Sequence, residues 1–338
     1  MRVLPVLATV WFAAACLDEE PANGPDAGDD EGDSAGGADV ETLAELRSCP
    51  TLIALDDELV YLASPYDTAV LRVPKTGGVP DVVGTSAIGD LAADGDAAYV
   101  ATWSGVSRIG HDAWAAETFA AAPRIDGMDV EVRQVAARGG SVYFSIDVSC
   151  VDGPCGGLNP VLVALSADGP GTGALLSVPG GGNVFDLAAG ATTAYFTGNL
   201  VGVPGQLHSA PLAGGPLVNY AEYAEGPVAA GPEDGFVVFG TNILRVPADG
   251  GPTQMLVADA NAIAGVAADA ASVYWISGGD PGTLSARDVD AGAVRIIASG
   301  LSWPAGIAVD DTFAYWIECA SNRSQQAPAR GWIRRVTK

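Results

Sequence analysis

A pair of residues at fixed spacing recurs seven times along this chain. An alanine stands at Ala54, Ala92, Ala136, Ala188, Ala229, Ala267 and Ala308. An aromatic ring follows each one seven residues later, at Tyr61, Tyr99, Tyr143, Tyr195, Phe236, Tyr274 and Tyr315. No copy breaks that spacing, although successive alanines lie 38, 44, 52, 41, 38 and 41 residues apart. Insertions therefore fall between the copies and never inside them. The fullest copy runs from Pro304 to Glu318 and reads as a short strand, an acidic turn and a second strand carrying Tyr315 and Trp316.

A period near forty residues with several short strands per unit is the signature of radial four-stranded blades. Each unit alternates apolar and polar residues over short runs rich in Val, Ile, Tyr and Phe, with Gly, Pro and Asp in the gaps. In the better copies a third strand follows, as at Ile243–Pro247, then a Gly-Gly turn and a fourth, as at Thr253–Val257. The expected fold is all-β: a seven-bladed β-propeller of four-stranded antiparallel blades. Inner strands crowd around an axis, where only a small side chain such as alanine allows close approach. The aromatic one strand out fills the wedge between neighbouring blades, so both are core features. Asp56, Asp94, Asp269 and Asp310 recur at the turn after the inner strand, where Asp accepts hydrogen bonds from turn backbone.

Pro304–Asp310 with Tyr315-Trp316, and Val273-Tyr274-Trp275, resemble the core of the YWTD and NHL families of propeller repeats. Arg72-Val73-Pro74 and Arg245-Val246-Pro247 resemble their third strand. The resemblance spans about residues 39–338 and implies the architecture rather than a ligand. The Thr-Asp that completes the YWTD motif is replaced by Ile-Glu after Trp316 and by Ile-Ser after Trp275.

The beginning of the chain reads as an address. Arg2 and the apolar run Val3–Ala15 have the form of a signal peptide, residues 1–15. Ala13-Ala14-Ala15-Cys16 resembles a bacterial lipobox, which implies lipid attachment at Cys16; an ordinary secretory signal is the alternative. Leu17 after the cysteine favours the outer membrane or cell surface. Residues 16–38 contain no Lys or Arg and are mostly Asp, Glu, Gly, Ala and Pro, the composition of a disordered acidic tether. The propeller then occupies 39–338. With 41 Asp and Glu against 16 Lys and Arg, the net charge of −25 argues against nucleic acid and against direct adhesion to anionic lipid. Contact with the bilayer is expected through Cys16 only, and the chain is expected to be a monomer.

The last repeat ends after its third strand, so its fourth must come from elsewhere or leave an open edge. The segment 39–45 reads as that strand and is expected to pair with Trp332–Thr337, closing the ring in the last blade. Glu41 and Glu45 would then face Arg334 and Arg335. In an oxidising compartment disulfides are expected. Cys150 and Cys155 bracket a short turn that a local bridge can staple, which leaves Cys49 to pair with Cys319; a four-cysteine metal site is the rival reading, without paired C-x-x-C units in its favour.

His111 and His208 are the only histidines and neither has a second one at metal spacing. The start of each inner strand, two residues before the repeated alanine, carries Leu52, Asp90, Gln134, Asp186, Pro227, Gly265 and Gly306. Asp90, Gln134 and Asp186 are therefore the candidate metal set, for one divalent ion such as calcium or zinc; strand-end capping explains them without a metal. On the same face, Tyr66, Trp103, Arg124 and Trp303 fall in loops and are candidate contact residues, aromatic and Arg side chains being common interface anchors.

Two function classes follow. The first is a cell-envelope lipoprotein whose propeller is a non-catalytic binding module, with no cofactor, for an envelope protein or extracellular glycan. The second is an enzyme acting at the axial channel, similar to metal-dependent propeller lactonases or to streptogramin-inactivating lyases. The lyase needs a His on the channel face, and a quinone-dependent dehydrogenase needs Trp-docking motifs; neither is present.

Overall fold

The computed structural model describes residues 39–65, 68–85, 88–122, 128–150, 161–166, 174–177, 182–200, 203–224, 226–258, 261–290, 292–320 and 330–338. All regular structure among them is β. Six sheets are contiguous blades, each of four consecutive antiparallel strands, spanning 52–84, 88–121, 128–177, 182–223, 228–258 and 263–301. Here the expectation of seven equivalent blades is corrected. Contiguous blades number six, against seven copies of the motif, and the copy at Ala308 belongs to a composite sheet. That sheet runs in the order Glu41–Leu46, Gly331–Thr337, Phe313–Cys319, Pro304–Val309. The physical reason is that Glu41–Leu46, from before the first blade, pairs antiparallel with Gly331–Thr337 and supplies the outer strand of the last repeat.

The inner strands are Leu52–Leu55, Ile88–Asp94, Met128–Arg138, Gly182–Ala189, Val228–Ala230 and Ile263–Ala268 in the blades and Pro304–Val309 in the composite sheet. Each packs beside the next, and Pro304–Val309 packs against Leu52–Leu55, so the arrangement closes around an axis. The motif spacing has a direct cause. Every repeated alanine is the cross-strand partner of its own aromatic, from Ala54 opposite Tyr61 to Ala308 opposite Tyr315. A tight turn fixes that register, so a longer or shorter gap would move the ring to the wrong face. All seven rings are buried, as are Trp275 and Trp316 on the following residues.

In the composite sheet Glu41 lies opposite Arg335, whose guanidinium donates to the Glu41 carboxylate at 2.6 and 2.9 Å. The expected role of Glu45 is corrected: it lies opposite Trp332, and Arg334 lies opposite Thr42 and beside Glu318 instead. A bulge between Thr42 and Ala44 shifts the register and separates Glu45 from both arginines. A disulfide joins Cys49 to Cys319, with Cα atoms 5.5 Å apart, across 270 residues of sequence. It ties the start of the first blade to the second strand of the composite sheet. The Cys155 and Cys16 positions lie outside the described residues, as does the side chain of Cys150.

Candidate functional site

Inner strands begin on one face, called upper here, and end on the other. Near their beginnings five carry a bulge: between Ile88 and Asp90, Val132 and Val135, Val184 and Asp186, Ile263 and Gly265, and Ala305 and Ile307. Bulges twist a strand and re-aim its side chains. Gly306 shows why one of them needs glycine: its φ is 57°, and a Cβ there would lie 2.7 Å from the Thr51 carbonyl oxygen.

The bulges bring Asp90, Gln134 and Asp186 to the wall of one concave axial mouth of about 430 Å³. Asp90 accepts from the Val135 N–H at 3.0 Å, reaching from the second blade to the third. Asp186 accepts from Leu187 N at 2.8 Å and from Val228 N at 2.7 Å, reaching from the fourth blade to the fifth. Burial, and then the nearby charge of Asp186, push the Asp90 carboxyl up to about 7 against the pull of the Val135 and Leu91 N–H groups. Burial likewise pushes Asp186 up to about 6. Gln134 joins them at the wall, and its own backbone N–H donates to Ser145 Oγ at 3.2 Å. The mouth thus contains two carboxylates already holding backbone and one neutral amide. A divalent ion such as calcium takes six to eight oxygen ligands, so this donor set fits it poorly. Among the described residues no three His, Cys, Asp or Glu side chains converge as a metal site.

On the same face, Trp103 sits in the turn between Ala97–Thr102 and Gly105–Gly110 with 51% of its surface exposed. Trp303 precedes Pro304 and is 38% exposed. Its φ of 40° is left-handed, unusual for a bulky residue, and its N–H donates to Gly279 O at 3.1 Å. Tyr66 and Arg124 lie outside the described residues.

The lower face is built differently. Asp56 Oδ1 accepts from Glu58 N and Leu59 N, and its Oδ2 from the Tyr61 hydroxyl at 2.6 Å. Asp269 with Tyr274 and Asp310 with Tyr315 repeat this geometry. Asp94 departs from the pattern, bonding Gly140 N of the next blade at 2.7 Å. Where the aspartate is missing, other contacts serve. Gly231 is matched by Phe236, which has no hydroxyl to satisfy. Arg138 replaces the acid in the third blade and donates to the carbonyls of Ala189, Ala230 and Gly231 at 3.3–3.5 Å.

Sequence reasoning missed a set of basic side chains on this face. Lys75 binds Asp310, Lys338 binds Asp269, and His111 stands 3.6 Å from Asp56. Each comes from the neighbouring sheet and enters the wedge beside the buried tyrosine. A signal was present: all three immediately follow the third strand of their repeat. His208 is fully buried, its Nδ1 2.8 Å from Asn219 Oδ1 and its ring stacked on Phe196. Burial lowers its proton affinity, and it packs rather than faces the mouth.

Radially arranged four-stranded sheets around an axial mouth define this chain as a β-propeller. In overall structure it is similar to the WD40 domain of Neurospora crassa Pan2, with a TM-score of 0.62 at 8% identity over 89% of this chain and 97% of that one. It is also similar to YCF48 bound to D1 peptide, with a TM-score of 0.59 at 10% identity over 90% and 96% of the two chains. No family model and no curated protein matches the sequence. At these identities the likeness establishes the fold.

Proposed function

We propose that this chain is an exported, lipid-anchored binding propeller of a bacterial cell envelope, receiving a protein partner on its upper face. The observation that carries the reading is two exposed indoles, Trp103 and Trp303, in loops on the face where the inner strands begin and where the mouth's carboxylates are engaged in joining blades. Tryptophan is enriched among the residues that dominate binding energy. The left-handed backbone at Trp303 adds support, because strained conformations gather at ligand clamps. Residues 1–15 serve as signal peptide, Cys16 carries the lipid, and 16–38 are the tether that holds the 39–338 propeller clear of the outer membrane. Tyr66 and Arg124 are proposed as further contact residues from the sequence alone. A protein partner is favoured over a glycan by the precedent of YCF48, a similarly folded chain whose structure includes a bound peptide.

The test is capture of partners from the envelope with the full lipidated chain, followed by affinity measurement for wild type, Trp103→Ala and Trp303→Ala. Loss of about tenfold or more in affinity with unchanged melting supports the reading. A tightly held divalent ion that is released by Asp186→Ala, together with partner affinity unmoved by either Trp variant, would favour the enzymatic alternative instead.

A further inference from the structure

The upper mouth combines two features that rarely serve one another by accident. Its wall mixes apolar side chains, Leu52, Ile53 and Phe185 among them, with about as much polar surface. Among the described residues its ionisable side chains are all acidic: Asp90 and Asp186 line it, with no Lys, Arg or His. The lower face shows how the same fold treats a half-buried aspartate. There Asp310 and Asp269 each meet a lysine from the adjacent sheet, which also lies over a tyrosine ring at 5.6 or 5.4 Å. Among the described residues no cation stands against Asp90 or Asp186.

We infer that the axial mouth is a socket for a single lysine or arginine side chain presented by the partner, its aliphatic stem against those apolar side chains and its cationic head at Asp90 and Asp186. The inference rests on the binding reading above and names the chemistry of its central contact. Long cationic side chains pair an apolar stem with a charged tip, which is the pattern of this wall. The acceptors are available. Each carboxylate has about four lone-pair positions, two of which are used by backbone N–H groups. An ammonium offers three donors and one charge, and so matches what a divalent ion does not. An apolar side chain of equal length would leave both carboxylates without a counter-charge, and an acidic one would be repelled. The elevated proton affinity of both carboxyls adds a dependence: occupancy strengthens as pH rises through about 6 to 7 and the pair ionises.

The test uses the full chain and four capped glycine pentapeptides, with lysine, arginine, norleucine or glutamate at the centre. Binding is followed by calorimetry at low salt and slightly alkaline pH. Saturable binding of the lysine and arginine peptides, absent for norleucine and glutamate, is expected. Asp186→Asn should weaken it by about tenfold or more. Because that change also disturbs a backbone contact, Gln134→Lys provides a second arm, placing a resident cation at the wall and blocking the socket in a protein that melts like wild type. Equal binding of lysine and norleucine peptides, no saturation by lysine up to millimolar concentration, or lysine binding unmoved by both variants would overturn the inference. The two readings fail separately. If the lysine peptide does not bind but Trp103→Ala weakens a captured partner, the socket alone is wrong; if the peptide binds and the Trp variants change nothing, the indole face is wrong.

Discussion

Lys75 in the first blade grips the Asp310 carboxylate of the composite sheet at 2.8 Å, across 235 residues of chain. The same carboxylate accepts the Tyr315 hydroxyl at 2.9 Å and the N–H groups of Thr312 and Phe313. Burial works against its ionisation, but Lys75 and those N–H groups outweigh it and hold the carboxyl at about 2. A depressed folded value means stability that is present above the unfolded value near 3.8 and lost as pH falls through about 2. Asp310→Asn should therefore lower stability at neutral pH by about 1–2 kcal/mol, discounted for partial solvent exposure. Urea unfolding should show the gap between variant and wild type shrinking below about pH 4, as Asp310 itself takes up protons.

Asp90 and Asp186 impose the opposite slope. Their folded values, about 7 and about 6, are raised, so between about pH 4 and pH 7 the folded state binds more protons than the unfolded one. Their contribution to stability is full below about 4 and is lost as pH rises through 6 and 7. Asp90→Asn should flatten that part of the profile. Unfolding free energies compared at mildly acidic and mildly alkaline pH would show a smaller drop in the variant than in wild type.

The Cys49–Cys319 bridge closes a loop of 270 residues. By loop entropy alone such a bridge stabilises by on the order of 5 kcal/mol, less any strain. Cys49→Ser with Cys319→Ser should lower the melting temperature substantially, and a reductant should have the same effect on wild type. Deleting 39–46 removes the outer strand of the composite sheet and should lower it further in the double variant.

Gly235 lies against the face of the Tyr195 ring, one blade away, so closely that an added Cβ would collide with it. The position is buried, and the ring itself is wedged between blades. Gly235→Ala should cost about 1–3 kcal/mol, as overpacking of a filled core generally does. A chemical melt with unchanged slope and a lower midpoint would show this.

Much of the architecture was readable because one spacing encodes one cross-strand register. Ala308 and Tyr315 are partners across a turn, and a turn of fixed length cannot be hidden by insertions elsewhere. The borrowed strand was readable because 39–45 has a strand's pattern but stands before the first copy of the motif. What escaped was interaction between repeats. Nothing in the local pattern around Asp186 says that it will hold Val228 N, or that Arg138 will reach carbonyls of two further blades. Those contacts depend on how far neighbouring inner strands lean toward each other, and bulges set that. Glu45 was misplaced for the same reason: one extra residue near Leu43 turned its side chain away from the arginines.

Since Glu41–Leu46 and Gly331–Thr337 lie side by side, the polypeptide traces a circuit with a single cut, and the cut's location is arbitrary with respect to the ring. Joining 338 to 39 by a short linker and reopening the chain at the Gly250-Gly251 turn would leave every strand with its present neighbours. The segment that precedes residue 39 in sequence would then join the ring at a different blade. The orientation that the indoles and the mouth present to their surroundings is thus a separable variable, set by where the circuit is opened rather than by how the ring is packed.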